Sequence, residues 1–186
     1  MAKHLAPLAS RAINLFVRHA LLVRPLGAGG KMRLIQDFGH IEQSLSPLCS
    51  RLSDLGDSYR LLRAFRPLIH ATDEDMLQNP SLGVTVPYSF CIHMLISRAD
   101  PQLRSPFQVA DWSHSKYVKY FFFFIFNFLN FRYSQWLDEH QSEKERLSLL
   151  KGTIDNYTKQ VAASKESQFV SQLPTITKLL QLGLQS

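Results

Sequence analysis

The stretch Lys31–His70 reads KMRLIQDFGHIEQSLSPLCSRLSDLGDSYRLLRAFRPLIH. Its apolar residues are Met32, Ile35, Phe38, Ile41, Leu45, Leu48, Leu52, Leu55, Tyr59, Leu62, Phe65 and Ile69, and every step between them is three or four residues. That spacing lines side chains along one stripe of an α-helix. An unbroken helix over the stretch would reach roughly 55 Å at about 1.5 Å per residue. Charges on the other faces (Lys31, Arg33, Asp37, Glu42, Arg51, Asp54, Arg60, Arg63) exclude a membrane span. Pro47 lacks an N–H and clashes with the preceding turn, so a break is expected near Ser44–Pro47. Gly56 weakens the helix a second time. The stripe therefore predicts two or three successive helices lining one core.

Upstream, Leu5, Leu8, Ala12, Leu15, Phe16, His19, Leu22 and Val23 recur at helical spacing and predict a first helix. Pro25 and Gly27 stop it. The turn Leu26-Gly-Ala-Gly-Gly-Lys31 has the look of a phosphate loop. A phosphate loop needs Gly where Pro25 stands and Ser or Thr where Met32 stands, with a strand before it. All three requirements fail, which leaves a corner between helices.

Downstream, Thr72–Asp75 fits a capping box loosely, with Asp in place of Glu or Gln. Asn79-Pro80 and Gly83 mark a loop, and Pro87 suits the first position of a helix. The segment after it, from Tyr88 to Ile96, is apolar nearly all round, which predicts a buried helix with a buried strand as the alternative. Ser105-Pro106 opens a helix, and Ser142–Glu145 matches a capping box. Leu147, Leu150, Ile154, Tyr157 and Val161 make one further stripe. Phe169, Leu173, Ile176, Leu180 and Leu184 make another, with Pro174 in its first turn. No convincing strand pair occurs. The fold class is all-α, an antiparallel helical bundle.

Composition bounds the function classes. The first seventy residues carry ten Lys/Arg against four acids, so the basic excess of the chain sits there. Such a surface suits acidic partners, nucleic acid or anionic lipid, and equally a solvated basic face. No aromatic–basic platform accompanies it, which argues against nucleic acid. Cys49 and Cys91 form no CxxC, as expected in a reducing compartment. The N-terminus has no continuous apolar run of the signal-peptide kind. Seven histidines are spread singly, without HxxxH or HExxH, so His93 and His114 read as core or boundary residues. Asp73–Asp75 suits a helix N-terminus better than a metal. No catalytic, cofactor-binding or metal-binding residue is assigned, partner-binding residues are left open, and no enzyme is expected.

One segment breaks the helical logic. Residues 118–133 read VKYFFFFIFNFLNFRY and hold seven of the thirteen Phe. The apolar core, 120–131, is shorter than the roughly twenty residues of a span and contains Asn127 and Asn130. It permits a shallow interfacial anchor. A second reading explains more. With these residues removed, Phe107, Ala110, His114, Tyr117 and Leu137 become one stripe; kept as helix, they rotate the downstream face by about 160°. Val codons begin GT, a pyrimidine tract translates as Phe, and Phe131-Arg132 permits an acceptor ending in AG. The segment 118–133 thus reads as a retained in-frame intron inside an otherwise single all-α region, 1–186.

RHALLVRPLGAGGKMRL (18–34), SDLGDSYRLLRAFRPLI (53–69), SPFQVADWSHSKY (105–117) and SQWLDEHQSEKERL (134–147) resemble the C-terminal region of subunit 5 of the conserved oligomeric Golgi complex. The resemblance covers nearly the whole chain and places nothing at 118–133. It implies a non-enzymatic tethering subunit, and this chain as a slab of its CATCHR-like helical rod, a C-terminal fragment of a longer subunit. It implies action in retrograde intra-Golgi transport and partners among the other subunits, subunit 7 in particular. The location it implies is peripheral, on the cytosolic face of the Golgi membrane. The alternative is a small peripheral membrane protein anchored by 120–131.

Overall fold

Nine consecutive residues, Ser89 to Ser97, are buried, and the other helices are arranged around them. The computed structural model describes residues 2–109, 142–164 and 168–186. Its helices are α1 (Ala2–Leu22), α2 (Ala28–Leu45), α3 (Asp57–Phe65), α4 (Asp73–Leu77), α5 (Tyr88–Arg98), α6 (Pro106–Val109), α7 (Glu143–Ala163) and α8 (Leu173–Gln185). The described residues hold no strand beyond an isolated bridge between Leu82 and Val86. The segment around 88–96 is helix, and its strand alternative is discarded. The expected stripe through Ala110, His114, Tyr117 and Leu137, and the segment 118–133, lie outside the described residues.

The central helix, α5, packs against α1, α7 and α8. A helix apolar on every face must be covered on every face, and this one is. Its contact with α8 is close because Gly183 faces it. A Cβ at Gly183 would come within 3.0 Å of Tyr88 Cβ and 2.7 Å of a Leu147 methyl. Pro87 stands one position earlier than expected, as the N-cap with extended backbone (φ −60°, ψ 146°). There its missing N–H costs nothing.

The long stripe breaks where Pro47 and Gly56 said it would. α2 ends at Leu45 and passes through a 3₁₀ turn, Ser46–Leu48, into extended backbone at Cys49. A second 3₁₀ turn, Leu52–Leu55, ends at Gly56. Gly56 has φ 60° and ψ −126°, a conformation that a side chain opposes. α3 follows and closes in a third 3₁₀ turn, Arg66–Ile69. Across these breaks the stripe keeps its register. Phe38, Leu45, Leu55, Leu62, Phe65 and Ile69 are buried, and Ile35, Ile41, Leu48, Leu52 and Tyr59 pack against them. Met32 alone of the stripe lies on the surface, 58% exposed. Phe16, Phe38 and Phe65 join α1, α2 and α3: the first pair meets edge-on at 4.8 Å and the second stacks at 6.0 Å.

The first helix differs from expectation in phase. Its buried residues are Ala9, Ile13, Val17, Ala20, Leu21 and Leu22, whereas Leu5, Leu8 and Val23 are exposed. Two stripes run along α1 about one residue apart. α1 packs between α3 and α5. That slot takes the stripe with small Ala and compact β-branched residues, and the leucine-bearing stripe turns outward. The stripes of α7 and α8 are buried as expected at Leu147, Leu150, Ile154, Tyr157 and Val161, and at Ile176 and Leu180. Phe169 is exposed but lies edge-on to Tyr157, whose hydroxyl accepts from the Val170 N–H at 3.0 Å.

Candidate functional site

A buried helix leaves unsatisfied N–H groups at one end and carbonyls at the other. A distant side chain answers the start of α5, and two arginines brace the chain around its far end. At its start, the Ser89 N–H and hydroxyl each donate to the Glu143 carboxylate at 2.7 Å. Glu143 thus caps another helix. Ser142, expected to head a capping box on its own helix, makes no such bond. Thr72–Asp75, the looser match, does form the box: the Asp75 N–H donates to the Thr72 hydroxyl, and the Thr72 N–H donates to the Asp75 carboxylate. At the far end of α5, the Arg24 guanidinium donates to the carbonyls of Leu103 (2.7 Å) and Asp100 (2.8 Å). Arg98, in the last turn of α5, donates to the carbonyls of Ala71 (2.7 Å), Ile69 (2.9 Å) and Leu68. The sequence reading missed these roles, because the partners are set by tertiary packing.

These polar groups hold the frame and are not poised for chemistry. Burial, and then Glu143, push the Cys91 thiol up to about 12, while Arg98 pulls the other way. The thiol therefore stays protonated at neutral pH. His93 is buried and its Nδ1 donates to the Ser89 carbonyl at 2.7 Å. Burial lowers its pKa to about 4; the Ser89 bond opposes this and Arg146 adds to it. The turn Leu26–Lys31 is a corner between helices. The Leu26 N–H donates to the Ser97 carbonyl at 3.0 Å, and Gly27 is the N-cap of α2. No group of three His, Cys, Asp or Glu suited to a metal occurs among the described residues.

A pH dependence follows from His93. An unfolded His titrates near 6.5. Between there and about 4, the unfolded chain takes up a proton that the folded chain refuses. Stability is therefore full above roughly pH 6.5 and is lost as pH falls below it, by at most ~1.4 kcal/mol per unit. Half-buried His19 is lowered by burial and acts in the same direction. Urea midpoints at about pH 7 and about pH 5 measure the slope, and His93→Leu is expected to flatten it. An unchanged slope in that variant would place the effect elsewhere.

What the surface offers is contact. The outward stripe of α1 borders a groove of about 720 Å³ lined by Arg11, Asn14, Leu15 and Arg18 of α1 and by Arg146 from the first turns of α7. The Arg146 guanidinium lies 5.9 Å from the centroid of the Phe90 ring, within cation–π range. The Asn14 amide donates to the Ser58 hydroxyl at 3.2 Å, which fixes the helix to α3. Burial, and then the positive charges of Arg146 and Arg11, disfavour the charged form of Arg18. A second groove, of about 520 Å³, lies between Val84, Tyr88, Lys144 and Leu184, with mixed lining. The ion pairs Arg51–Asp54, Arg60–Asp57 and Arg66–Glu42 lie around α2 and α3. They offset part of the basic excess there.

Comparison with curated proteins finds the same relative in three organisms. The chain is 45% identical over 177 residues to conserved oligomeric Golgi complex subunit 5 of Mus musculus, covering 95% of this chain and 19% of that protein. It is 32% identical over 180 residues to the Drosophila melanogaster subunit 5, covering 96% and 22%. It is 31% identical over 176 residues to that of Arabidopsis thaliana, covering 95% and 19%. The chain spans about a fifth of the length of these relatives. No family model and no solved structure matches it.

Proposed function

We propose, from the premise that this chain is a relative of one stretch of conserved oligomeric Golgi complex subunit 5, that it acts as a non-enzymatic part of a Golgi vesicle-tethering complex in retrograde intra-Golgi transport. The observation that carries the reading is the 45% identity to the mouse subunit over 95% of the chain. The physics of the fold supports it. Buried polar groups brace a helical frame, and tethering by protein–protein contact calls for such a frame. The partners are other subunits of the complex, with subunit 7 the specific candidate. The location is the cytosolic face of the Golgi membrane, held there peripherally. Among the described residues, no helix is long and apolar enough to cross a membrane.

Co-purification of the tagged 186-residue chain with subunits of the complex tests the proposal. Recovery of those subunits, together with Golgi co-localisation, is the expected result. A folded chain that recovers none of them overturns it. The anchored reading through 120–131 is separated by flotation: it stands only if removing 118–133 abolishes membrane binding while the fold is kept. The same reading takes 118–133 as a retained intron, resting on the stripe that its removal restores. Abundant transcript that always encodes the run, with no skipped form, sinks that part alone.

A further inference from the structure

The outer faces of the two longest helices differ in character. That of α7 carries Lys144, Glu145, Lys151, Asp155 and Lys159, all exposed and mixed in sign. That of α1 carries leucines and bases. Leu5, Leu8, Ala12 and Leu15 follow one another in steps of three, four and three, so they form a stripe about 15 Å long. Leu5 is 39% and Leu8 58% exposed, and Ala12 and Leu15 are half-buried. Exposed Arg11 stands three residues after Leu8 and four before Leu15, on the border of that stripe. No acid occurs before Asp37, whereas Lys3, Arg11, Arg18, Arg24, Lys31 and Arg33 do.

Shape and charge together select the occupant. The other guanidiniums beside α1, those of Arg18 and Arg146, are engaged within the chain. What faces outward is therefore the ridge of Leu5, Leu8 and Arg11 and not a recess. A partner helix calls for a groove to lie in. A bilayer interface deforms around a ridge and takes apolar side chains down to the boundary between headgroups and acyl chains. An acid-free surface meets no repulsion from anionic headgroups, and each base near them adds attraction. Nucleic acid offers phosphate but no apolar layer for the two leucines.

We propose that the outer face of α1 docks on an anionic lipid surface, with Leu5 and Leu8 at the acyl boundary and Arg11 at the headgroup phosphates. The inference rests on the peripheral membrane location proposed above and names the face that meets the bilayer. A contact of two leucines and a few bases is weak and reversible by itself.

The test floats the whole 186-residue chain with phosphatidylcholine vesicles, with and without phosphatidylserine, at low salt. Flotation with the anionic vesicles and not with the neutral ones is expected, fading as salt is raised. Leu5→Gln/Leu8→Gln, which keeps the charge and a helix-forming residue at each surface position, should weaken partitioning about tenfold or more. Arg11→Glu should weaken it about tenfold. Arg33→Glu, an equal charge change on an exposed part of α2, should weaken it far less. Equal losses in the two arginine variants overturn the proposal, as do an unchanged leucine variant, equal binding to neutral vesicles, or no flotation of the wild type. Binding that survives in the leucine variant and is lost on removing 118–133 overturns it in favour of the 120–131 anchor. A dye-labelled Leu/Glu helix peptide that binds through Leu8 and Arg11, where anionic vesicles do not, overturns it in favour of a protein partner. A chain that floats through Leu8 but recovers no complex subunits leaves the lipid face standing and removes the assignment to the complex. The converse result removes the lipid face alone.

Discussion

Phe65→Ala is expected to destabilise the chain by about 3–5 kcal/mol, the cost of truncating a fully enclosed aromatic side chain. Phe65 is 0% exposed and stacks on Phe38 at 6.0 Å, and Phe38 in turn meets Phe16 edge-on. The void therefore opens at a place where α1, α2 and α3 are held by rings. Part of the loss is transfer free energy, and part is the contacts that the surviving rings forfeit across the gap. A domain of this size rarely holds more than about 5–15 kcal/mol in total, so the midpoint of thermal unfolding should fall on the order of 10 °C. Phe65→Leu keeps most of the volume and should cost roughly 1–2 kcal/mol. Met32→Ala, on the same sequence stripe but at the surface, should stay within about 0.5 kcal/mol. Urea melts of the three variants check the order. A Phe65→Ala loss no larger than that of Met32→Ala would remove the ring stack from the core.

The contrast between Phe65 and Met32 shows what periodicity can and cannot deliver. From Ile35 to Ile69 the stripe was legible because one set of apolar residues recurs without a rival, and Pro47 and Gly56 announce their breaks chemically. In α1 two stripes compete, one through Leu5, Leu8 and Leu15 and one through Ala9, Ile13 and Val17. Hydrophobicity favours the leucines. The narrow slot between α3 and α5 favours the small and branched residues, and steric fit wins over apolar mass. The polar frame was illegible for a related reason. Ser142–Glu145 has the local spacing of a capping box, but Glu143 gains more by answering Ser89 of a helix that has no side-chain cap of its own. Local rules rank options available within one turn, whereas the chosen partner is 54 residues away. The groove was half legible. Arg11 and Arg18 lie seven residues apart with Leu8 and Leu15 between turns, which places them on one face. Arg146 is brought to them only by the packing of α7 against α5.

Arg98 carries the second large effect. Its guanidinium reaches three consecutive-turn carbonyls, Leu68, Ile69 and Ala71, at the end of the long stripe. Leu68 and Ile69 close the last 3₁₀ turn, Arg66–Ile69, and Ala71 lies two residues beyond it. A charged donor to a carbonyl is worth about 1.5–3 kcal/mol, and the three are not additive because water recovers part of the loss. Arg98→Ala is therefore expected to cost roughly 3 kcal/mol, in the range of breaking a partly buried charged network. Arg98→Lys is the more informative change. Lysine keeps the charge and much of the stem, yet an ammonium cannot reproduce a planar fork that serves carbonyls on two sides. It should recover about half of the loss. If only charge mattered, Arg98→Lys would match the wild type; if only packing of the stem mattered, Arg98→Met would. Denaturant melts of the three variants separate these cases. Hydrogen exchange locates the damage: the amides of α4 and of the Arg66–Ile69 turn should lose protection first, since Arg98 is what fastens that junction to the buried helix.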